Sequence, residues 1–102
     1  MATEVEYVAE ALEEAEAAAR WYAARSAVAA RRFSEEMDAA EPAIAAHPNA
    51  WPPYDHGTRR YLLRRFPFSV IYAAHSDRIV ILAVAHGRRR PGYWQDRIPQ
   101  LG

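Results

Sequence analysis

The stretch "RIVILAVAH", residues 78–86, constrains the fold of this chain most. Seven apolar residues in succession leave an extended strand no polar face, so such a strand sits centrally in a sheet and is covered on both sides. Its neighbours supply that sheet. "FSVIYAAH" lies just before it, with Ser76 and Asp77 as the turn between them. Earlier still, "RRYLLRRF" alternates, with Tyr61, Leu63 and Arg65 on one face and Leu62, Arg64 and Phe66 on the other. Pro67 belongs at a turn or an edge, because it has no backbone N–H to give to a ladder. These three stretches predict an antiparallel meander. At the start of the chain, "TEVEYV" alternates Val5 and Tyr7 with Glu4 and Glu6 and predicts a further strand.

Residues 8–46 have helical period instead. Val8, Leu12, Ala15, Ala19 and Tyr22 fall on one stripe, and Phe33, Met37, Ala40 and Ile44 on another. The stripes are nearly in phase, so periodicity alone permits one long helix. Globular helices usually run about 8–20 residues, which favours a hairpin. Ser26 is a candidate N-cap for its second arm, placing the break near Arg25-Ser26. Pro42 is expected to kink or restart that arm. "HPNAWPPYDHG" reads as a loop, with Trp51 and Tyr54 stapling it to the core or cradling an aromatic ligand. The hairpin can cover one face of the central strand. The other requires the C-terminal "GYWQDRIPQLG" or a partner protein.

A chain of 102 residues is expected to form a single domain, 1–102. It has no cysteine, which excludes disulfides and thiolate metal sites. The acidic start carries no apolar signal core, and no run approaches the ~20 apolar residues of a membrane span, so a cytoplasmic location is expected. The formal net charge of zero hides a split. Residues 1–50 carry ten acidic side chains and four arginines, residues 51–102 three and nine. Every basic side chain is arginine, whose planar fork pairs bidentately with carboxylates and phosphates. The split means either a basic face for an anionic partner or two halves that neutralise each other across the fold.

The chemistry-bearing motifs are few. His47, His56, His75 and His86 show no metal-ligand spacing on a shared element, and neither metal nor cofactor is expected. Ser26, Ser69 and Ser76 lie in no nucleophile elbow. No Gly-rich phosphate loop is present. Paired carboxylates lie on the polar helix face, where salt bridging is their ordinary role. What remains gathers near the end of the sheet: Arg59, Arg60, Arg64, Arg65, His86, Arg88, Arg89, Arg90, Tyr93 and Arg97, in and around "HGRRRPGYWQDR". Such groups can hold phosphates, and histidine or tyrosine can move a proton. Equally, Tyr93 and Trp94 can seal the open sheet face, and the triple arginine can be a solvated turn.

The order "EYVAEALEEAEAAARWY", "WPPY", "RRYLLRRFPFSVIY" and "IVILAVAHGRRRPGYW" resembles the RelE/ParE family of toxins from type II toxin–antitoxin systems, over almost the whole chain. Within it, the sequence is closer to the ParE-like, or plasmid-stabilisation, branch. The resemblance implies an α+β fold: an N-terminal strand, a helical hairpin, a three-stranded antiparallel meander and a short C-terminal segment packed on the sheet. It also implies a cognate antitoxin as partner, with DNA approached only through that antitoxin.

Two activities follow from the resemblance. ParE-like members poison DNA gyrase without known catalysis, and gyrase is the expected target. RelE-like members enter the ribosome and cleave mRNA, which would make the chain an endoribonuclease. In that case Arg65, His86, Arg89 and Tyr93 carry the catalytic expectation by resemblance. The lysines that RelE-like nucleases place before the meander have no counterpart here, only Arg59 and Arg60. In either mode Arg59, Arg60, Arg64, Arg88, Arg89, Arg90, Trp94 and Arg97 are the expected target- or partner-facing residues. A non-toxic member that only binds antitoxin is a third reading.

Overall fold

A computed structural model describes residues 4–101. Strand β1 (Glu4–Tyr7) leads into helix α1 (Ala9–Ala23) and helix α2 (Ala27–Ala46). Strands β2 (Pro53–Tyr54), β3 (Thr58–Leu62), β4 (Phe68–Ala74) and β5 (Arg78–His86) follow, and the described chain ends in a 3-10 segment, Gln95–Leu101. The sheet order is β1-β5-β4-β3-β2. β1 runs parallel to β5, and the other pairings are antiparallel.

The apolar strand is central, as its two-faced pattern requires. Ile79 through Val84 are all buried. The register against β4 pairs Ile71 with Ala83 and Tyr72 with Ile81, so Leu82 is the extra residue of a β-bulge. That bulge shifts the phase of β5 just where β1 ends. Beyond Ile81, whose carbonyl accepts from Val8 N–H at 3.0 Å, β5 has no strand partner on that side among the described residues.

The helical region is a hairpin, broken at Ala24–Ser26. Ser26 caps α2, its hydroxyl accepting from Ala29 N–H at 3.2 Å. Phe33, Met37, Ala40 and Ile44 are buried along α2. On α1 the buried residues are Ala11 and Ala18, whereas Leu12, expected inside, is 47% exposed. In an alanine-rich helix almost every face contains apolar residues, so the pattern fixes the buried line poorly. Close approach to β5 selects the small side chains. Pro42 neither ends nor restarts α2, which runs continuously to Ala46; the proline lacks the N–H that would reach Asp38 and is exposed.

Two further expectations change. The Trp51–Tyr54 loop donates a two-residue edge strand, β2, to the sheet. The alternation of "RRYLLRRF" stops at Leu62, and Phe66 leaves the strand to join Tyr22, Phe33 and Phe68 in an aromatic cluster with ring contacts at 4.9–6.4 Å between centroids. This cluster fastens the hairpin to the start of β4. Trp94, 1% exposed, covers the opposite sheet face beside Tyr54 and His56. Arg90-Pro91-Gly92-Tyr93 delivers it there: Gly92 has φ 78° and Tyr93 N–H donates to Arg90 C=O, a type II pattern with proline and glycine in their favoured places.

Candidate functional site

The chain after β5 divides two depressions of opposite chemistry. The first is an open groove of about 540 Å³ between α1 and the unpaired part of β5. Ala17, Ala18, Trp21 and Tyr22 form one wall, Phe68 and Val84 the other, and the lining is mainly apolar. Trp21 is 53% exposed, with the Arg25 guanidinium 3.6 Å over its ring. The second is a hollow of about 190 Å³ on the Trp94 face of the sheet, lined by Arg60, Ser69, Ile71, Ala85, Arg89 and Arg90 among others. His86, Arg89 and Tyr93 line both depressions and form the ridge between them.

Local contacts fix each group on that ridge. The His86 ring meets Phe68 edge to face at 5.1 Å, and its Nδ1 accepts from Arg88 N–H at 3.0 Å. The Arg89 guanidinium lies 3.8 Å above the Tyr93 ring. The Tyr93 hydroxyl donates to Glu14 Oε2 at 2.6 Å. Burial first, then the Glu14 hydrogen bond and charge, push that hydroxyl's pKa well above the ordinary tyrosine value, against the opposing pull of Arg97 and Arg89. At neutral pH the proton stays on Tyr93 and points at Glu14.

Glu14, which the sequence pattern left on the polar helix face, lies at the centre of these contacts. Its carboxylate accepts from Val84 N–H at 3.0 Å and from Arg97 Nη1 at 2.8 Å and Nη2 at 3.1 Å. Arg97 Nη1 also donates to Leu82 C=O at 3.0 Å. Side chains thus satisfy the β5 edge past the bulge, where β1 no longer reaches. Burial disfavours the Arg97 charge, but the Glu14 hydrogen bond and charge outweigh it and raise the pKa. Glu14 stands three residues after Ala11 and four before Ala18, on the line that the structure buries and that the alanine-rich sequence did not mark.

The expected site residues separate into groups. Arg60, Arg89 and Arg90 come together in the basic hollow, with the Arg60 guanidinium 4.4 Å above the Tyr54 ring. Arg88 is exposed just outside it. Arg64 and Arg65 line another hollow, facing Glu35 and Glu36, and their backbone N–H groups donate to Glu36. Arg59 braces the preceding loop by donating to Trp51 C=O at 2.6 Å and Asn49 C=O at 3.2 Å. Two expectations of a partner-facing role need correction: Trp94 is buried as a seal, and Arg97 is committed to Glu14, 13% exposed at its side chain. Of the residues with a catalytic expectation, His86, Arg89 and Tyr93 share the ridge, whereas Arg65 does not line either depression. Among the described residues no group of three or more His, Asp or Glu could hold a metal ion, and no helix is long and apolar enough to cross a membrane.

A helical hairpin on a mostly antiparallel sheet, with a basic ridge at the end of the last strand, defines a small α+β fold. Residues 5–91 match the family described as ParE toxin of type II toxin-antitoxin system, parDE, and the chain belongs to that family. Among solved structures, it is similar to a chain of the chromosomal ParDE toxin–antitoxin system from P. aeruginosa, with a TM-score of 0.71. The match has 19% identity and covers 82% of this chain and 95% of that one, a likeness of fold. No curated protein matches the chain.

Proposed function

We propose that this ParE-family chain arrests growth when free, that a cognate antitoxin neutralises it by filling the apolar groove, and that its cytoplasmic target is DNA gyrase. The observation that carries this reading is the ridge. His86, Arg89 and Tyr93 border both the groove and the basic hollow, so a segment lodged in the groove also covers the arginine end. The occupant that fits is an amphipathic helix or extended segment with apolar anchors for Trp21, Tyr22 and Phe68. Acidic residues beside those anchors would meet Arg89 and speed encounter more than they tighten the complex. Contact with DNA, and any part in plasmid stabilisation, run through the antitoxin.

Three observations support gyrase over the ribosome. Arg65 stands apart from His86, Arg89 and Tyr93, and the Tyr93 hydroxyl is turned to Glu14. A net charge of zero also suits a protein partner better than ribosomal RNA, where many phosphates must be neutralised. Induction without antitoxin tests the reading, scoring growth, DNA breaks and mRNA cuts together. Growth arrest with DNA breaks and an SOS response is the expected result. Codon-positioned mRNA cuts would replace it with the endoribonuclease reading, and unimpaired growth with a member that only binds antitoxin.

A further inference from the structure

The basic hollow differs from the neighbouring depressions in what it lacks. Glu14 lines the apolar groove, and Glu35 and Glu36 line the hollow at Arg64 and Arg65. Among the described residues, no acidic side chain lines the hollow that holds Arg60, Arg89 and Arg90. Three arginines line one small space without an acidic residue among its lining, and like charges gathered this way favour an anion between them.

Two of the three arginines are held in place by aromatic rings. Arg60 rests on the Tyr54 ring at 4.4 Å and Arg89 on the Tyr93 ring at 3.8 Å. Stacking fixes each guanidinium plane and leaves its N–H edge free to donate, so less side-chain freedom is lost on binding. Buried Trp94 forms part of the wall, and Ser69 adds a hydroxyl. The volume of about 190 Å³ falls below the ~300–1,000 Å³ of pockets for drug-sized ligands, so the occupant is a small group.

We infer that this hollow binds a phosphate dianion, either inorganic phosphate or the terminal phosphate of a small phosphomonoester. A phosphomonoester carries about −1.5 to −2 charge near neutral pH and three acceptor oxygens, which suits three guanidiniums better than the single charge of a carboxylate. The inference goes beyond the proposed action on gyrase, and binding is read on the isolated chain. Failure to bind phosphate therefore leaves the toxin reading standing, and absence of toxicity leaves this one standing.

The test is an amide NMR titration of the purified chain at fixed ionic strength, with inorganic phosphate, a nucleoside 5′-monophosphate and acetate as separate probes. Phosphate is expected to shift Ser69, Ala85 and Gly87 in a saturable way. Arg90→Gln, an exposed change that leaves packing intact, should weaken binding at least about tenfold, and Arg60→Gln likewise. Arg88→Gln removes the same charge just outside the hollow and should change affinity by less than about twofold. A nucleotide that binds like phosphate assigns the site to phosphate alone, and one that binds more tightly assigns it to a phosphomonoester. The proposal is overturned by unmoved Ser69 and Ala85 signals, by equal losses in the Arg88 and Arg90 variants, or by acetate binding as tightly as phosphate. The last result would make the hollow a carboxylate site.

Discussion

The groove and the hollow are separated by His86, Arg89 and Tyr93, yet one is built to bury carbon and the other to meet charge. Apolar area removed from water gives affinity in proportion to its extent, without direction. Guanidiniums held on aromatic rings give direction and selectivity. If neutralisation uses the groove and target contact the arginines, as proposed, substitutions on either side of the ridge should separate them.

Replacing Arg88, Arg89 and Arg90 together by Ala should abolish growth arrest while the antitoxin still binds the groove. All three are exposed, and the Arg89 stack on Tyr93 that the change removes is worth about 0.5–1 kcal/mol, too little to unfold the domain. Circular dichroism and a growth assay check this together. A folded triple variant that remains fully toxic would show that the arginines are a solvated turn.

On the other side of the ridge, Trp21→Ala should leave the arrest intact and weaken antitoxin binding. A half-exposed tryptophan lining an apolar groove is the type of anchor whose truncation costs about 2–4 kcal/mol, or about 30- to 1,000-fold in affinity. Calorimetry gives the number, and failure of co-expressed antitoxin to restore growth gives the phenotype. Unchanged affinity would place the antitoxin elsewhere and dissolve the contrast between groove and hollow.

Which of these features were legible in the sequence follows from the patterning of each region. The two-faced apolar run dictated a central β5, and the α2 stripe from Phe33 to Ile44 named its own buried residues. Alanine in α1 hid the buried line and, with it, Glu14. Periodicity assigns a carboxylate to water unless a partner is known, and Arg97 lies 83 residues away. The arginines were legible as a group, but not their division. "RRYLLRRF" reads as one strand, whereas the chain turns after Leu62, sending Arg60 to the hollow and Arg64 and Arg65 to the acidic side of α2. Trp94 was legible as an aromatic at the end of the sheet; its burial depends on the Arg90–Tyr93 turn.

Glu14 belongs by position to the groove and by contact to the β5 edge. Glu14→Ala removes the acceptor for Val84 N–H and Tyr93 and leaves the Arg97 cation without its partner, at 13% exposure. Breaking such a partly buried pair should cost about 2–4 kcal/mol of stability. A lower urea midpoint with an unchanged slope would report it. An unchanged midpoint would mean that the edge beyond the bulge is held by something other than this network.

Tyr93 separates the two activities most finely, because it sits on the ridge and carries a hydroxyl. Tyr93→Phe keeps the ring, the Arg89 stack and nearly all the buried area, and loses one hydrogen bond to Glu14, worth about 1.5 kcal/mol. Tyr93→Ala also loses the ring and should cost about 2–4 kcal/mol. The Tyr93 pKa is raised on folding, so its contribution is fully present below the unfolded-state value and is lost only as pH rises through the higher folded-state value. The stability gap between wild type and the Phe variant should therefore be flat across the neutral range, about pH 6–9, and shrink only in strong alkali. Toxicity should survive Tyr93→Phe, since a hydroxyl that donates to Glu14 is not the group that meets a target. A nuclease that used this proton would instead lose about 100- to 10,000-fold with the hydroxyl alone. A Phe variant that folds normally yet is as harmless as the Ala variant would move the target from gyrase to the ribosome.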